Sequence, residues 1–299
     1  MAGQNPACPM TPPHLNPGRS ITIPLETETV VGFSISALAT YLLIPELGTA
    51  FDMGECPLEA VPLDRVFISH AHGDHARCLL RHESLRRLMS MEPATYYIPA
   101  QTLDGFLGLA QAWRALEGHR NIHLNPPRFH PMQPGDVAWL HRQLAVKAFE
   151  VTHSQPSLGY TLYDVRKKLK PEYQGWDGAK LAQLRREGVA FEEETWLPRI
   201  TYVGDSTIET LYRETHIWKS NTLFLEVTFL LPDERKTARE RGHTHLDDLL
   251  DFLKDHPDAL ENRHIILKHF SMRYDKRFIL KTLKNRLPQE FQKRVHILL

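Results

Sequence analysis

Cysteine is scarce in this sequence: only three occur in 299 residues, at positions 8, 56 and 78. An odd number without regular spacing does not build the disulfide framework that holds small secreted domains together. Long apolar runs are absent too, since none approaches the roughly 20 residues that a membrane-spanning helix needs. We therefore expect a cytoplasmic protein with no membrane partner.

The chain also has no excess of charge, because 36 basic residues are matched by 36 acidic ones. Affinity for a polyanion would have to come from local patches rather than from the field of the whole molecule. The beginning, MAGQNPACPMTPPHLNPGR, has no apolar signal-peptide core and no strand or helix periodicity. We interpret residues 1–18 as a flexible N-terminal tail.

Short strands dominate the first part of the chain, and strands alternate with helices later. TVVGFSI and ATYLLIP are β-branched or aromatic runs bounded by turn residues, whereas LDGFLGLAQAWRALEG and HLDDLLDFLKD have helical spacing. This order predicts an α/β fold with sheets packed together and helices outside. A polar, charge-dense stretch interrupts the pattern, so we predict one domain, residues 19–299, with an insertion at about 164–198.

Metal-binding residue types follow the predicted strands at their ends. FISHAHGDH places His70, His72, Asp74 and His75 directly after the apolar strand RVFIS. Alternate residues of an extended segment face the same way, so the first two histidines can bind one ion together. Asp74 and His75, at the start of a helix, point to a second ion. Later strands end at further candidates: His153, Asp205, Glu226 and His269.

Imidazole nitrogens and carboxylate oxygens are the natural ligands of zinc and similar divalent ions. Burying four such groups without a cation would leave unmet polar groups at a cost of several kcal/mol. Two ions roughly 3.5–4 Å apart clamp a phosphoryl or carbonyl group between them. Asp205 is suited to bridging, because each of its two oxygens can face one ion.

The motif HAHGDH, followed by distant histidines and an aspartate, resembles the metallo-β-lactamase fold. The later motifs THSQPSLGY, VGDST, LEVTF, GHTH and KHFSMRY are similar to those of ribonuclease Z, the tRNA 3′-processing endonuclease, and occur in that family's order. The short insertion resembles the plant-type short form. The resemblance implies an αββα sandwich, made of two mixed sheets with helices outside. It also implies a zinc-dependent phosphodiesterase that removes the 3′ trailer from precursor tRNA.

The resemblance further implies which residues hold two Zn²⁺ ions, with Mn²⁺ or Fe²⁺ as alternatives. His70, His72 and His153 would hold one ion. Asp74, His75 and His269 would hold the other, with Asp205 bridging them. Asp52 and Thr207 would support the ligands by hydrogen bonds.

The resemblance assigns catalytic roles as well. Asp74 would orient an ion-bridging hydroxide for attack on phosphorus. Glu226 would orient His243, which would protonate the departing 3′ oxygen, a role that typically contributes ~10²–10⁴-fold. His245 is the rival acid, but the family has serine or threonine after the acid, and Thr244 follows His243.

Substrate contacts are less clearly marked. Ser271, Arg273 and Tyr274 either contact a substrate phosphate or brace the loop that carries His269. Residues 164–186 hold seven basic residues against three acidic ones. Within this segment, Lys167, Lys168 and Lys170 are predicted to contact tRNA phosphates. The family resemblance alone implies a homodimer.

Two other functions remain open. One is a di-metal hydrolase of small phosphodiesters or other small esters, supported by the zero net charge and by the lack of the long Gly-Pro arm of many bacterial ribonuclease Z proteins. The other is a binding or scaffold protein without activity, which the complete set of ligands disfavours.

Overall fold

The structure is a computed structural model, and it describes residues 20–118 and 127–299. The predicted tail, residues 1–18, lies outside the described residues. Within the described ranges the strands are β1 Ile21–Pro24, β2 Thr29–Ser36, β3 Ala39–Ile44, β4 Thr49–Phe51, β5 Arg65–Phe67, β6 Thr95–Pro99, β7 Arg128–Met132, β8 Val137–His141, β9 Leu144–Glu150, β10 Leu158–Leu169, β11 Glu192–Tyr202, β12 Thr222–Glu226, β13 His264–Lys268, β14 Phe270–Ser271 and β15 Val295–Ile297. The α-helices there are α1 Gly73–Ala76, α2 Leu79–Leu88, α3 Leu103–Leu116, α4 Gly178–Arg186, α5 Glu209–Arg213, α6 Arg235–Glu240, α7 Leu246–Asp255, α8 Lys276–Arg286 and α9 Gln289–Gln292.

The strands form two sheets. The first has the order β1-β2-β3-β4-β5-β6-β7, with β14 added beside β2, and the second has the order β15-β13-β12-β11-β10-β9-β8. Pairing is antiparallel from β1 to β4 and parallel from β4 to β7. It is likewise antiparallel from β8 to β11 and parallel from β11 through β12 and β13 to β15. Both sheets are therefore mixed.

Alternate residues of both sheets meet in a core between them. The rings of Phe51 in β4 and Tyr202 in β11 lie 4.9 Å apart across this core. Helices cover the other faces: His82 of α2 lies 2.8 Å from the hydroxyl of Tyr96 in β6, and Phe252 of α7 belongs to the same buried cluster as Ile265 of β13. The predicted αββα sandwich is confirmed.

The segment predicted as an insertion, residues 164–198, contains the outer parts of two strands and a helix. β10 and β11 pair continuously, apart from one bulge, out to Leu169 opposite Glu192, and α4 lies between them. The strand extension was missed because its side chains are largely exposed on both faces and show no alternation of apolar and polar residues. The Asp177 side chain caps α4 by accepting a hydrogen bond from the Lys180 N–H at 2.9 Å.

In the part of the chain that the structure describes, no helix is both long enough and apolar enough to cross a membrane.

Candidate metal centre

The predicted ligands lie just beyond strand ends that meet at one edge of the sandwich. β5 leads to His70 and His72, β9 to His153, β11 to Asp205 and β13 to His269. The carboxyl ends of parallel strands share one edge of a sheet, which explains why residues so distant in sequence converge.

The histidine motif takes the predicted local form. After β5 the chain stays extended through His72, and α1 begins at Gly73, which turns Asp74 and His75 into the site. Gly54 makes this turn possible, because a Cβ there would lie 1.8 Å from the carbonyl oxygen of Asp74. A residue with a side chain could therefore not replace Gly54 without moving the backbone at Asp74.

One cluster of donor atoms combines His70, His72, His153 and Asp205, all within 4.8 Å of one another. Nδ1 of His72 lies 2.8 Å from Nε2 of His70 and 3.4 Å from Nε2 of His153. Burial, reinforced by the neighbouring His75, lowers the pKa of His70 well below its usual value. His70 is therefore neutral, the form that offers a lone pair to a metal.

A second cluster combines Asp74, His75 and His269, again within 4.8 Å. Nε2 of His75 lies 3.2 Å from Nε2 of His269. Burial lowers the pKa of His75, but the carboxylates of Asp205 and Asp52 outweigh it and raise the pKa to about 10. A positive charge, whether a proton or a metal ion, is thus favoured at this imidazole.

One oxygen of Asp205, Oδ2, lies between the two clusters. It is 3.8 Å from Nε2 of His70, 3.2 Å from Nε2 of His75 and 3.1 Å from Nε2 of His269. Its Oδ1 is buried and has no hydrogen-bond partner among the described residues. The expectation that each oxygen faces one ion is therefore not met, because one oxygen faces both clusters.

Asp52 lies directly behind the predicted ligands. One of its oxygens accepts a hydrogen bond from the Ser69 N–H at 2.7 Å, and the other lies 2.7 Å from Nδ1 of His75. The Tyr202 hydroxyl, from the opposite sheet, also donates to Asp52. Asp52 and His269 both have left-handed backbone conformations, with φ of 57° and 65°. Such strain is typical of functional sites.

Asp74 is held by a residue that the motifs did not indicate. Its Oδ2 accepts a hydrogen bond from the N–H of Ala37 at 2.7 Å, in the turn between β2 and β3. Burial raises the pKa of Asp74, but the hydrogen bond to His269 and the charge of His75 outweigh it, so the pKa lies well below its usual value. Asp74 is therefore ionised at neutral pH.

Glu226 and His243 lie in direct contact beside the clusters. Nδ1 of His243 lies 2.9 Å from Oε1 of Glu226, and Oε1 also accepts from the Ser206 N–H at 3.0 Å. Burial lowers the pKa of His243, but the charge of Glu226 and the hydrogen bond to it raise the pKa to about 9. His243 also belongs to a third group of donors, with Asp205 and His269.

His245, the rival acid, has both ring nitrogens engaged within the protein. Nε2 lies 2.8 Å from the carbonyl oxygen of Leu231, and Nδ1 accepts from the N–H of Asp247 at 3.0 Å, at the start of α7. The ring is fully buried. This geometry favours His243 as the acid.

Thr207 does not support Asp205 as the sequence predicted. Its hydroxyl is buried without a hydrogen-bond partner in the described part of the chain. Its backbone N–H instead donates to the carbonyl of Thr152 at 2.8 Å. Thr207 therefore fixes the loop before His153 through its main chain, and its side chain makes no hydrogen bond to the ligand.

The substrate-contact candidates of KHFSMRY make structural contacts. The guanidinium of Arg273 pairs with Glu234, and the hydroxyl of Tyr274 donates to the same carboxylate. Oγ of Ser271 accepts from the N–H of Arg273 at 3.4 Å. These contacts favour the bracing role that the sequence left open.

The three lysines of the insertion lie apart from the metal clusters. Lys167 and Lys168 are on the extended part of β10, opposite Glu194 and Glu193, and Lys170 follows the end of that strand. Nζ of Lys167 lies 3.1 Å from a carboxylate oxygen of Glu194. The extension partly neutralises its own positive charge.

Several contacts at the site have no clear sequence signal. Nε2 of Gln155 lies 2.9 Å from Nε2 of His72, and the hydroxyl of Thr228 lies 2.9 Å from Nδ1 of His269. The pairing of β14 with β2 brings Ser34 close enough for its carbonyl to accept from the His269 N–H at 3.3 Å. Such partners depend on tertiary packing.

The donor set fits divalent metal ions. Imidazole nitrogens face one another across 2.8–3.4 Å, a separation that suits ligands of one metal ion about 2.0–2.1 Å from each nitrogen. The opposite nitrogens of His75 and His153 contact Asp52 and the carbonyl oxygen of Gly242, as metal-binding histidines commonly do.

Comparison with known proteins identifies the family of this chain. A family model described as the beta-lactamase superfamily domain matches residues 49–270. The tRNase Z TRZ1 of Arabidopsis thaliana is 32% identical over 255 residues, which cover 84% of this chain and 88% of that protein. The nuclear ribonuclease Z of Triticum aestivum is 36% identical over 55% of this chain and 92% of that protein.

Solved structures share the fold. The metallo-beta-lactamase fold protein YhfI from Bacillus subtilis superposes with a TM-score of 0.57 at 14% identity, covering 90% of this chain and 96% of that one. The short form of human tRNase Z superposes with a TM-score of 0.51 at 16% identity, covering 93% and 88%. The chain belongs to the beta-lactamase superfamily and, within it, to the tRNase Z family. Family and donor clusters together give it a divalent-metal centre.

Replacing Asp52 tests how far the centre depends on its supporting partners. We expect Asp52→Asn to weaken Zn²⁺ binding by about 10- to 100-fold, because His75 loses the carboxylate that orients its ring. Competition with a chromogenic chelator measures this affinity. Asp64→Asn, at an exposed carboxylate outside the site, is the matched control. Equal affinities of both variants would contradict the supporting role of Asp52.

Proposed function

We propose that this chain is an endonuclease that removes the 3′ trailer from precursor tRNA. The observation that carries the proposal is the Glu226–His243 pair, 2.9 Å apart, beside two metal-binding clusters in a member of the tRNase Z family. Metal ions held by the clusters would supply the nucleophile that attacks phosphorus. The Glu226–His243 pair would supply the proton that the departing 3′ oxygen needs.

We assign two zinc ions to the centre. His70, His72 and His153 would hold one, Asp74, His75 and His269 would hold the other, and Asp205 would serve both. The ions, when bound, supply a nucleophile at neutral pH and neutralise charge on the phosphate. The neutral state of His70 and the ionised state of Asp74 support this assignment.

Two residues of the chain act on the reacting groups. Asp74, fixed by the Ala37 N–H and by His269, orients the attacking oxygen. His243 is protonated at neutral pH, because its pKa is raised to about 9, and gives its proton to the departing 3′ oxygen. Glu226 holds the ring in place. The bond between phosphorus and the 3′ oxygen breaks, which leaves a 3′-hydroxyl on the tRNA and a 5′-phosphate on the trailer.

Incubation of the zinc-loaded protein with a precursor tRNA that carries a 3′ trailer tests the substrate. We expect cleavage after the discriminator nucleotide, and its loss in Asp74→Ala, because that variant lacks both a ligand and the group that orients the nucleophile. A small chromogenic phosphodiester is assayed in parallel. Turnover of the diester without cleavage of the precursor would retain the metal chemistry and refute the tRNA assignment.

A modified substrate tests the acid. We expect His243→Ala to slow cleavage of precursor tRNA by about 10²–10⁴-fold. A precursor with sulfur in place of the departing 3′ oxygen should be cut at nearly the unaltered rate, because a thiolate leaves without a proton. Single-turnover rates on both substrates measure the effect.

His245→Asn is the matched control for this experiment. It changes a histidine of the same loop whose nitrogens both hold main-chain groups. We expect a loss of thermal stability and equal rate changes on the oxygen and sulfur substrates. If the sulfur-containing precursor restored the cleavage rate of His245→Asn and not that of His243→Ala, His245 would be the acid.

We further propose that the extended β10–β11 hairpin contacts tRNA. Lys167, Lys168 and Lys170 lie along one short stretch of β10 and the residue after it, where they reach phosphates outside the active site. The carboxylates of β11 opposite them limit the net charge, so the contact is weak for each lysine and depends on salt.

Replacing the three lysines with alanine tests this contact. We expect KM for precursor tRNA to rise, the salt dependence of binding to become shallower by about two to three charges, and turnover of the small phosphodiester to stay unchanged. Replacing Lys276, Lys281 and Lys284 of α8, which are also exposed, removes the same charge elsewhere and is the control. Equal effects of both triple variants would refute a specific role of the hairpin.

The homodimer and the cytoplasmic location remain predictions. Three exposed apolar side chains of α3 lie at positions i, i+4 and i+7, on one face of the helix, and offer a surface that a second copy would cover: Leu109, Trp113 and Leu116. Light scattering gives the molar mass that tests this. The tRNase Z TRZ2 of Arabidopsis thaliana is described as chloroplastic and the wheat relative as nuclear, so subcellular fractionation is the test of location.

A further inference from the structure

A buried lysine lies beside the metal centre without a role in the chemistry described above. Lys268, the last residue of β13, is fully buried, and its Nζ has no hydrogen-bond partner among the described residues. Nζ lies 3.9 Å from Oδ1 of Asp205 and 4.8 Å from the centre of the Tyr202 ring. A buried ammonium is costly, and an apolar side chain of similar volume would often serve stability as well or better.

The two oxygens of Asp205 have different neighbours. Oδ2 faces the imidazoles of His75 and His269 at 3.2 and 3.1 Å, whereas Oδ1 faces the ammonium. The aromatic face of Tyr202 stabilises a cation at this place. The same tyrosine donates its hydroxyl hydrogen to Asp52, so the lysine lies against a ring whose position is fixed.

We propose that Lys268 is a positioning residue of the metal centre: its ammonium group holds Oδ1 of Asp205 and offsets part of the negative charge that this carboxylate offers to cations at Oδ2. A fixed positive charge there weakens the binding of metal ions. It also strengthens the attraction of the centre for negative charge that develops on a phosphate during attack. The inference rests on the metal centre proposed above, but not on the identity of the substrate.

Lys268→Met removes the charge and keeps a side chain of similar length. We expect this variant to bind Zn²⁺ about tenfold more tightly than the unaltered protein, because a unit charge no longer repels the ions. Competition with a chelator in the absence of RNA measures the affinity. With zinc saturating, kcat for precursor tRNA should fall about tenfold while KM stays nearly constant. A residue that only maintained the fold would weaken metal binding and activity together.

Two variants serve as controls. Ile266→Met alters a core residue on the same strand, between the sheets rather than at Asp205, and should leave zinc affinity unchanged. Lys268→Gln keeps a hydrogen-bond donor without the charge and should match Lys268→Met. Zinc affinity at or below the unaltered value in both Lys268 variants would overturn the proposal. The proposal would also be overturned if Lys268→Gln alone kept the zinc affinity and kcat of the unaltered protein, because a hydrogen bond would then suffice.

Because zinc affinity is measured without RNA, failure here is distinct from failure of the tRNA assignment.

Discussion

One carboxylate oxygen, Oδ2 of Asp205, lies within 4 Å of imidazoles that come from both sheets, and the rest of the site is arranged around it. His70 and His75 follow a strand of the first sheet, whereas Asp205 and His269 follow strands of the second. The two layers must therefore keep one register with respect to each other. The aromatic core between the sheets, in which Phe51 stacks on Tyr202, maintains that register.

A second set of contacts fixes the ligands from behind. Asp52 receives hydrogen bonds from Ser69 and Tyr202 and lies beside His75, so this carboxylate also joins the two sheets. Its left-handed backbone is strained, and the surrounding hydrogen bonds stabilise it. The geometry of the site thus depends on buried polar groups that hydrogen-bond to one another. Oδ1 of Asp205 is an exception, because it has no hydrogen-bond partner among the described residues and instead lies 3.9 Å from Nζ of Lys268.

The sequence was sufficient to predict the layers and to place the candidate ligands at strand ends. Apolar runs that end in His70, Asp205 or His269 are local signals, because a strand end sets where the next side chains go. The extension of β10 and β11 was missed because its two exposed faces carry no apolar alternation. The absent hydrogen bond of Thr207, the Ala37 contact to Asp74 and the buried charge of Lys268 depend on which chain segments pack together, and spacing in one sequence does not encode that.

His269 follows the last residue of β13 in the second sheet, and β14, which begins at the next residue, pairs with β2 in the first. His75, its neighbour at 3.2 Å, is 194 residues away along the chain. A cation held by both would close a loop of that length, and closing long loops removes much conformational freedom from the unfolded chain. Cys56 and Cys78 are both free in the described part of the chain, so such an ion would act there as a cross-link between residues 75 and 269, and its binding would stabilise the folded state.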